Sequence, residues 1–302
     1  DWMIFVAADH LNSCSVHGGD VRTLAKLNLL CGEKAISVAA FVPGSLYLRL
    51  AIKYLRKIQN HWVSEYDLSL RVFRALIGIE LCLGNYLSGD ELAREVMEHA
   101  RTLQDRLPTI LSLASAKGRQ DKHEEAFELC RKALFELKAI PRRFQMLNML
   151  RDNYIIKRKL RMYSDNEIFL LPMLTDERKI SIVQFLSECQ LRAYYCGDMV
   201  AYMSCVFRSL RISFEDGLSA SSAYSFAAYG LFLDLSCEDH EGALRMARLS
   251  RQILSRVDDT VDSKTAKALA LTTTTYAIEA WSRPRDEVLL NGHLAHQVRC
   301  NW

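Results

Sequence analysis

The stretch EEAFELCRKALFEL, residues 124–137, decides the fold class. Its apolar residues fall at 126, 127, 129, 130, 133, 134 and 137, a broad stripe at the 3.6-residue period of an amphipathic α-helix. Ala126 and Ala133 stand seven apart on that stripe, and two small residues on one face let a neighbouring helix approach closely. Working outward, similar stripes run through residues 21–40, 67–83, 91–100, 142–160, 177–195, 199–214, 241–257 and 265–281. The breaks between them are short and carry Gly, Pro or an acidic starter: Val42-Pro43-Gly44, Gly84-Asn85, Ser88-Gly89-Asp90, Gly118-Arg119-Gln120-Asp121, Ile140-Pro141, Cys196-Gly197-Asp198 and Asp216-Gly217. Connections this short join antiparallel neighbours. The expectation is an all-α chain of about a dozen helices stacked as hairpins.

A spacing of 33 residues links Ala126 and Ala133 to a matching pair, Ala93 and Ala100. Each pair lies in a second helix entered through a polar turn, YLSGDE or RQDKHEE. A step near 34 is the tetratricopeptide period, and it recurs loosely at Ala243 and Ser250 after the turn CEDHEG. The Trp and the Leu-Gly pair of the full consensus are missing from the first helices, so the expected architecture is a right-handed α-solenoid of degenerate, tetratricopeptide-like hairpins. The stretch MYSDNEIFLLPMLTD, residues 162–176, interrupts the helical text and reads as a joint. The expected division is therefore 1–19, the end of a preceding domain or a capping helix; 20–161, a first sub-array; 162–176, the joint; 177–282, a second sub-array; and 283–302, a truncated helix.

Composition agrees. The 302 residues are 50% hydrophobic and 25% charged, the balance of a core-forming chain. Glycine (13) and proline (5) are scarce against the roughly 21 and 15 of average usage, which argues against strand-rich and Rossmann-type folds. Thirty-nine basic against 36 acidic residues leave +3, too little to imply nucleic acid by bulk charge. Nine scattered cysteines without a C-x-x-C fit a reducing compartment, and the chain reads as cytoplasmic. The longest uncharged run, residues 217–233, is 17 residues long and rich in serine, so it reads as a buried soluble helix with Ser219 as N-cap rather than a membrane span.

Catalytic motifs are thin. No glycine belongs to a G-x-x-x-x-G-K-[ST] phosphate loop, and kinase signatures are missing. His123 opens an H-E-x-x pattern, but Phe127 stands where a second zinc-binding histidine is needed, so His123 is expected to face solvent. His293 and His296 share a helical face without a partner carboxylate. Asp258, Asp259 and Asp262 spell D-D-x-x-D, a pattern that binds magnesium-diphosphate in helical isoprenoid synthases; no second metal-binding stretch accompanies it, and the ordinary reading is a turn with Asp262 or Ser263 as N-cap. A free-standing all-α enzyme built on this trio is the alternative function. No cofactor or metal is expected.

The basic stretch between Lys138 and Arg161 is the candidate site. Lys138, Arg142, Arg143, Arg151, Lys157, Arg158, Lys159 and Arg161 face a single acid, Asp152. Seven of them (Arg142, Arg143, Arg151, Lys157, Arg158, Lys159 and Arg161) form the candidate patch for an acidic protein partner.

Two phrases, EYDLSLRVFRALIGIELCLGNYLSGDELAREVMEHART (65–102) and DERKISIVQFLSECQLRAYYCGDMVAYMSCVFRSLRISFEDGLSASSAYSFAAYGLFL (176–233), resemble the helical region that follows the nucleotide-binding module in large AAA/STAND-type signalling ATPases. IFVAADHLNS (4–13) and LAKLNLLCGEKAISVAAFVPGSLYLRLAI (24–52) are similar to further segments of that region, and the FVPG and LLPMLTDERK phrases look most like its algal, diatom-like branch. The resemblance implies a piece of a larger protein, often carrying a Ser/Thr kinase domain before and a GAF and histidine-kinase or adenylate-cyclase module behind. It implies a non-catalytic scaffold, serving as sensor arm or protein-interaction surface for neighbouring domains or a protein partner, with neither nucleic acid nor membrane involved. The family's Walker residues would lie upstream of Asp1.

Overall fold

A helix forms wherever the apolar stripes run. The computed structural model describes residues 2–14, 20–140, 145–258 and 261–281, and among these are fifteen α-helices and no strand. Several helices begin at side-chain caps that satisfy otherwise orphaned N–H groups. Asp20, Thr102, Asp176, Asp198, Ser219 and Asp239 each accept a backbone N–H of the following first turn. Some boundaries differ from the sequence expectation. α3 (Phe41–Leu55) takes in Pro43 and Gly44, because proline in a first turn lacks only an N–H with no intrahelical partner. α6 (Tyr86–His99) likewise absorbs Ser88-Gly89-Asp90, the true break being Gly84 at φ 82°. α15 (Val261–Thr272) starts ahead of both residues expected to cap it, Asp262 and Ser263.

The chain divides into two compact units, 1–121 and 122–302. In the first, α1 (Met3–Cys14) lies on α2 (Val21–Ser37), joined by the Asn12–Asn28 amide pair. α2 pairs with α3, α3 packs on α5 (Tyr66–Cys82), and α5 pairs with α6 and touches α7 (Leu103–Arg119). The short α4 (His61–Ser64) sets Trp62 against Phe73. Inside this unit Glu80 is fully buried and accepts from Ser45 Oγ (2.6 Å), Arg49 Nη2 (2.6 Å) and Asn85 Nδ2 (2.9 Å). Burial alone would raise its carboxyl, but these bonds, that of Arg49 foremost, hold it below the ordinary value.

In the second unit α11 (Glu177–Tyr195) pairs with α12 (Met199–Asp216), and α13 (Ala220–Cys237) pairs with α14 (His240–Leu254) and also meets α15. Two helices depart from nearest-neighbour pairing: α8 (His123–Glu136) lies against α11, and α9 (Gln145–Met162) lies against α12. The expected joint, 162–176, falls inside this unit rather than between units. It holds a short helix, α10 (Asp165–Phe169), begun by a Ser164–Glu167 capping box. Arg245 donates to Asp165 (2.6 Å) and to the carbonyls of Leu160 and Tyr163, while Arg256 donates to the carbonyls of Phe169 and Leu171. Beyond α10, Met173 forms an isolated parallel bridge to Leu218. The chain's polar backbone here is satisfied by its own unit, which is why a stretch that looks like a linker is built in. Residues 283–302, expected as a truncated helix, lie outside the described residues.

Small-residue pairs sit where helices meet. Ala93, Ala100, Ala126, Ala133, Ala243 and Ser250 are all buried. The run at 217–233 is the interior helix expected of it: α13 has buried residues on every side, and Ser219 forms its capping box with Ser222. Ser222 is itself buried and accepts from Ser213 Oγ (2.7 Å), so it belongs to the packed interior and not to an outer flank.

Two substitutions test this packing. Gly217 has φ 126°, and a Cβ there would stand 2.7 Å from the carbonyl oxygen of Pro172, in the middle of the Met173–Leu218 bridge. Gly217→Ala is expected to lower stability by about 1–3 kcal/mol in urea melts; an unchanged midpoint would show that the bridge is not needed. Ala227 is fully buried in α13, and Ala227→Leu is expected to cost about 1–3 kcal/mol by overfilling the contact, read from the same melts.

Candidate interaction surface

α9, QMLNMLRDNYIIKRKLRM, has apolar residues on two faces. Ile156 and Leu160 enter the core of the second unit, with Met149 packed beside them, and this seam lies against α12. Leu147, Leu150 and Tyr154 point the other way and are 63%, 53% and 67% exposed. At 100° per residue, Leu147, Leu150, Arg151, Tyr154, Lys157, Arg158 and Arg161 fall within about 120° of arc and span about 21 Å of helix. All seven are exposed. One continuous outer stripe thus begins apolar and ends basic.

The lone acid of the stretch is turned inward. Asp152 is buried, with Arg211 Nη1 at 3.0 Å and Arg208 Nη1 at 3.6 Å, both from α12, and Arg151 Nη2 at 3.4 Å. A buried carboxylate needs cationic partners to offset its lost hydration, and α12 supplies them. The consequence is electrostatic sorting: the acid is held beneath the helix, where Arg151 shares it with α12, while α9 carries no other acid to oppose Lys157, Arg158 and Arg161. Lys157–Arg161 also occupies the helix C-terminus, where the macrodipole favours positive charge.

Of the seven expected patch residues, Arg151, Lys157, Arg158 and Arg161 share this stripe. Lys159 lies on the flank, half-buried, with Nζ 5.5 Å from the centre of the Tyr163 ring. Arg142 and Arg143 lie outside the described residues. The apolar half of the surface, Leu147, Leu150 and Tyr154, was missed in the sequence reading. Its signal was present: the apolar positions of α9 are too widely spread around the helix for one seam to bury them all.

The remaining sequence candidates are placed as follows. His123, expected in solvent, is half-buried; it stacks on Tyr195 with ring centres 4.4 Å apart and meets Arg192 Nη1 at 3.2 Å. Arg192 in turn binds Glu188 at 2.8 Å, so the histidine of α8 caps a largely buried ion pair within α11. Asp258 is exposed, and its backbone carbonyl accepts from Ser263 Oγ at 2.7 Å. Asp259 and the side chain of Asp262 lie outside the described residues, as do His293 and His296. Among the described residues no three His, Cys, Asp or Glu side chains are grouped so as to hold a metal ion, and no helix is long and apolar enough to cross a membrane. Cys31, Cys130, Cys189 and Cys205 are buried free thiols. The chain matches no known family profile, and no curated protein is significantly similar to it.

The polar clamp beneath α9 can be tested alone. Asp152→Asn keeps the shape but removes the carboxylate that Arg208 and Arg211 share, leaving Arg211 only Glu215 at 2.8 Å, and is expected to lower stability by about 1–3 kcal/mol in urea melts. An unchanged midpoint would show that the arginines are satisfied by solvent.

Proposed function

We propose that this chain is a non-catalytic, tetratricopeptide-like helical scaffold belonging to a signalling AAA/STAND ATPase, working in the cytoplasm as a sensor or protein-interaction arm. The observation that carries the reading is the outer stripe of α9, a composite apolar and basic surface that its own unit leaves exposed. Monomeric proteins rarely expose contiguous large apolar side chains beside charge without using them. The packing of sequence-adjacent helices through buried small residues supports the repeat-like part of the reading, and the phrases at 65–102 and 176–233 support the ATPase part. In such a design the scaffold's contacts bias a nucleotide switch elsewhere in the parent chain: a ligand that binds one state of the switch more tightly shifts its population. The chain's own contribution is then shape and binding surface.

Two measurements test this. The transcript upstream of the Asp1 codon is expected to encode a G-x-x-x-x-G-K-[ST] phosphate loop within a few hundred residues. A reading frame that continues upstream without such a loop would remove the ATPase assignment. Calorimetric titration of the isolated 302 residues with magnesium-ATP is expected to give no binding heat; micromolar binding would show that the chain is itself a nucleotide site.

A further inference from the structure

We infer that the partner of the α9 stripe is an amphipathic helix with acids in its first turns and apolar residues in its later ones, docked antiparallel to α9. The inference rests on the scaffold reading and goes beyond it by naming the chemistry and polarity of the occupant. The stripe is divided along its length: Leu147, Leu150 and Tyr154 occupy the N-terminal half, together with Arg151, whose guanidinium lies 3.4 Å from the buried Asp152, and Lys157, Arg158 and Arg161 occupy the C-terminal half. An occupant that fits both halves must itself be bipartite, with an apolar end and an acidic end. About 21 Å of stripe corresponds to about 14 residues of helix.

Polarity follows from the dipoles. The basic half of α9 is its C-terminal half, so the occupant's acidic end must lie beside that terminus. Carboxylates are best tolerated in the first turn of a helix, where the macrodipole is positive. A helix with its acidic first turn beside the C-terminus of α9 runs antiparallel to it, and the two macrodipoles then also oppose. The parallel alternative would place the occupant's acids at its own C-terminus, against its dipole, and would set both negative helix ends side by side.

Other polyanions fit less well. A nucleic acid would use the cations and leave Leu147 and Leu150 uncovered, since phosphate contacts need no aliphatic surface. An anionic membrane is met by helices whose apolar stripe runs their whole length with cations flanking it. Here the cations continue the apolar line rather than flank it, so the helix cannot sink evenly into a bilayer. Docking a helix on an exposed face by spaced apolar anchors is an established recognition mode, and Tyr154 at the seam between the halves has the apolar body and polar tip common at such interfaces.

The test uses the full 302-residue chain and four fluorescently labelled probes, titrated by anisotropy at several salt concentrations. The first is an 18-residue amphipathic helical peptide with Asp and Glu in its first two turns and Leu and Phe on the same face of its later turns. The second is the same peptide written in reverse. The third is a single-stranded oligonucleotide of equal charge, and the fourth a phosphatidylserine-containing vesicle. The first peptide is expected to bind at least tenfold more tightly than the reversed one. The triple variant Lys157→Glu, Arg158→Glu, Arg161→Glu should lose at least tenfold of that affinity and most of its salt dependence. Leu150→Ser with Tyr154→Ser should weaken binding while the salt dependence remains. Because the forward and reversed peptides are compared on the unmodified chain, that comparison holds whether or not a variant folds. Equal affinity for the two peptides, tighter binding of the oligonucleotide or vesicle, or indifference of a folded variant to the peptide would overturn the inference. Failure of peptide binding with no magnesium-ATP binding would remove this occupant and leave the scaffold reading standing; magnesium-ATP binding would remove that reading whatever the peptides do.

Discussion

The second unit depends on one constraint: α13 must be touched from several sides at backbone distance. A Cβ at Gly230 would lie 3.0 Å from both Met246 Cβ of α14 and Ile278 Cδ1 of the π-helical turn Thr273–Ile278, and 3.1 Å from the Ala243 carbonyl oxygen. Ser250 Oγ of α14 donates to the backbone carbonyl of Ala223 at 2.8 Å. Ala223, Ala227 and Ala228 are fully buried. A larger side chain on this stripe would hold the neighbours off and open voids that a close-packed interior does not tolerate. Aromatic rings fill what the small residues leave: Phe207 meets Tyr229 and Phe232 edge-on, and Phe214 meets Phe226 in the same way. These contacts tie α12 to α13, and α12 in turn is the bed on which α9 lies.

Much of this was legible in the sequence because it rests on local rules. The buried helix at 217–233, the Ser219 cap and the small-residue pairs at 93/100, 126/133 and 243/250 all follow from side-chain size and short-range hydrogen bonding. What was illegible follows from contacts far apart in sequence. Nothing near residues 162–176 announces that Arg245 and Arg256, more than eighty residues away, will hold its carbonyl groups. His123 looked like a surface residue in a first turn, yet Arg192 and Tyr195 come to it from sixty-nine and seventy-two positions on.

The candidate surface was half legible for the same reason. Charge runs can be counted along a chain, so the basic half was visible. Which apolar face of α9 would be left outside was not, because that depends on a pairing that skips neighbours. In a regular hairpin stack, consecutive helices cover each other. Here α8 goes to α11 and α9 to α12, so α9 loses the cover that α8 would have provided. Leu147, Leu150 and Tyr154 lie on the face of α9 turned away from the core and are exposed.

A buried ion-pair clamp fixes the outward face of α9 against rolling. The apolar seam of α9 is thin, chiefly Ile156, Leu160 and Met149, each supplying about 1.5–3 kcal/mol when fully buried. A seam that narrow, with a second apolar face available on the same helix, leaves the rotation about the helix axis weakly specified by hydrophobicity alone. Asp152 removes the ambiguity. Its carboxylate is buried and is met by Arg208 and Arg211 of α12. Rolling α9 to bury Leu150 and Tyr154 instead would carry Lys157 and Arg161 toward the core and pull the Asp152 carboxylate away from Arg208 and Arg211, a cost in desolvated charge that opposes the gain in apolar burial. The ion-pair clamp therefore selects which of two apolar faces is presented, and the presented face is the one continuous with the basic residues.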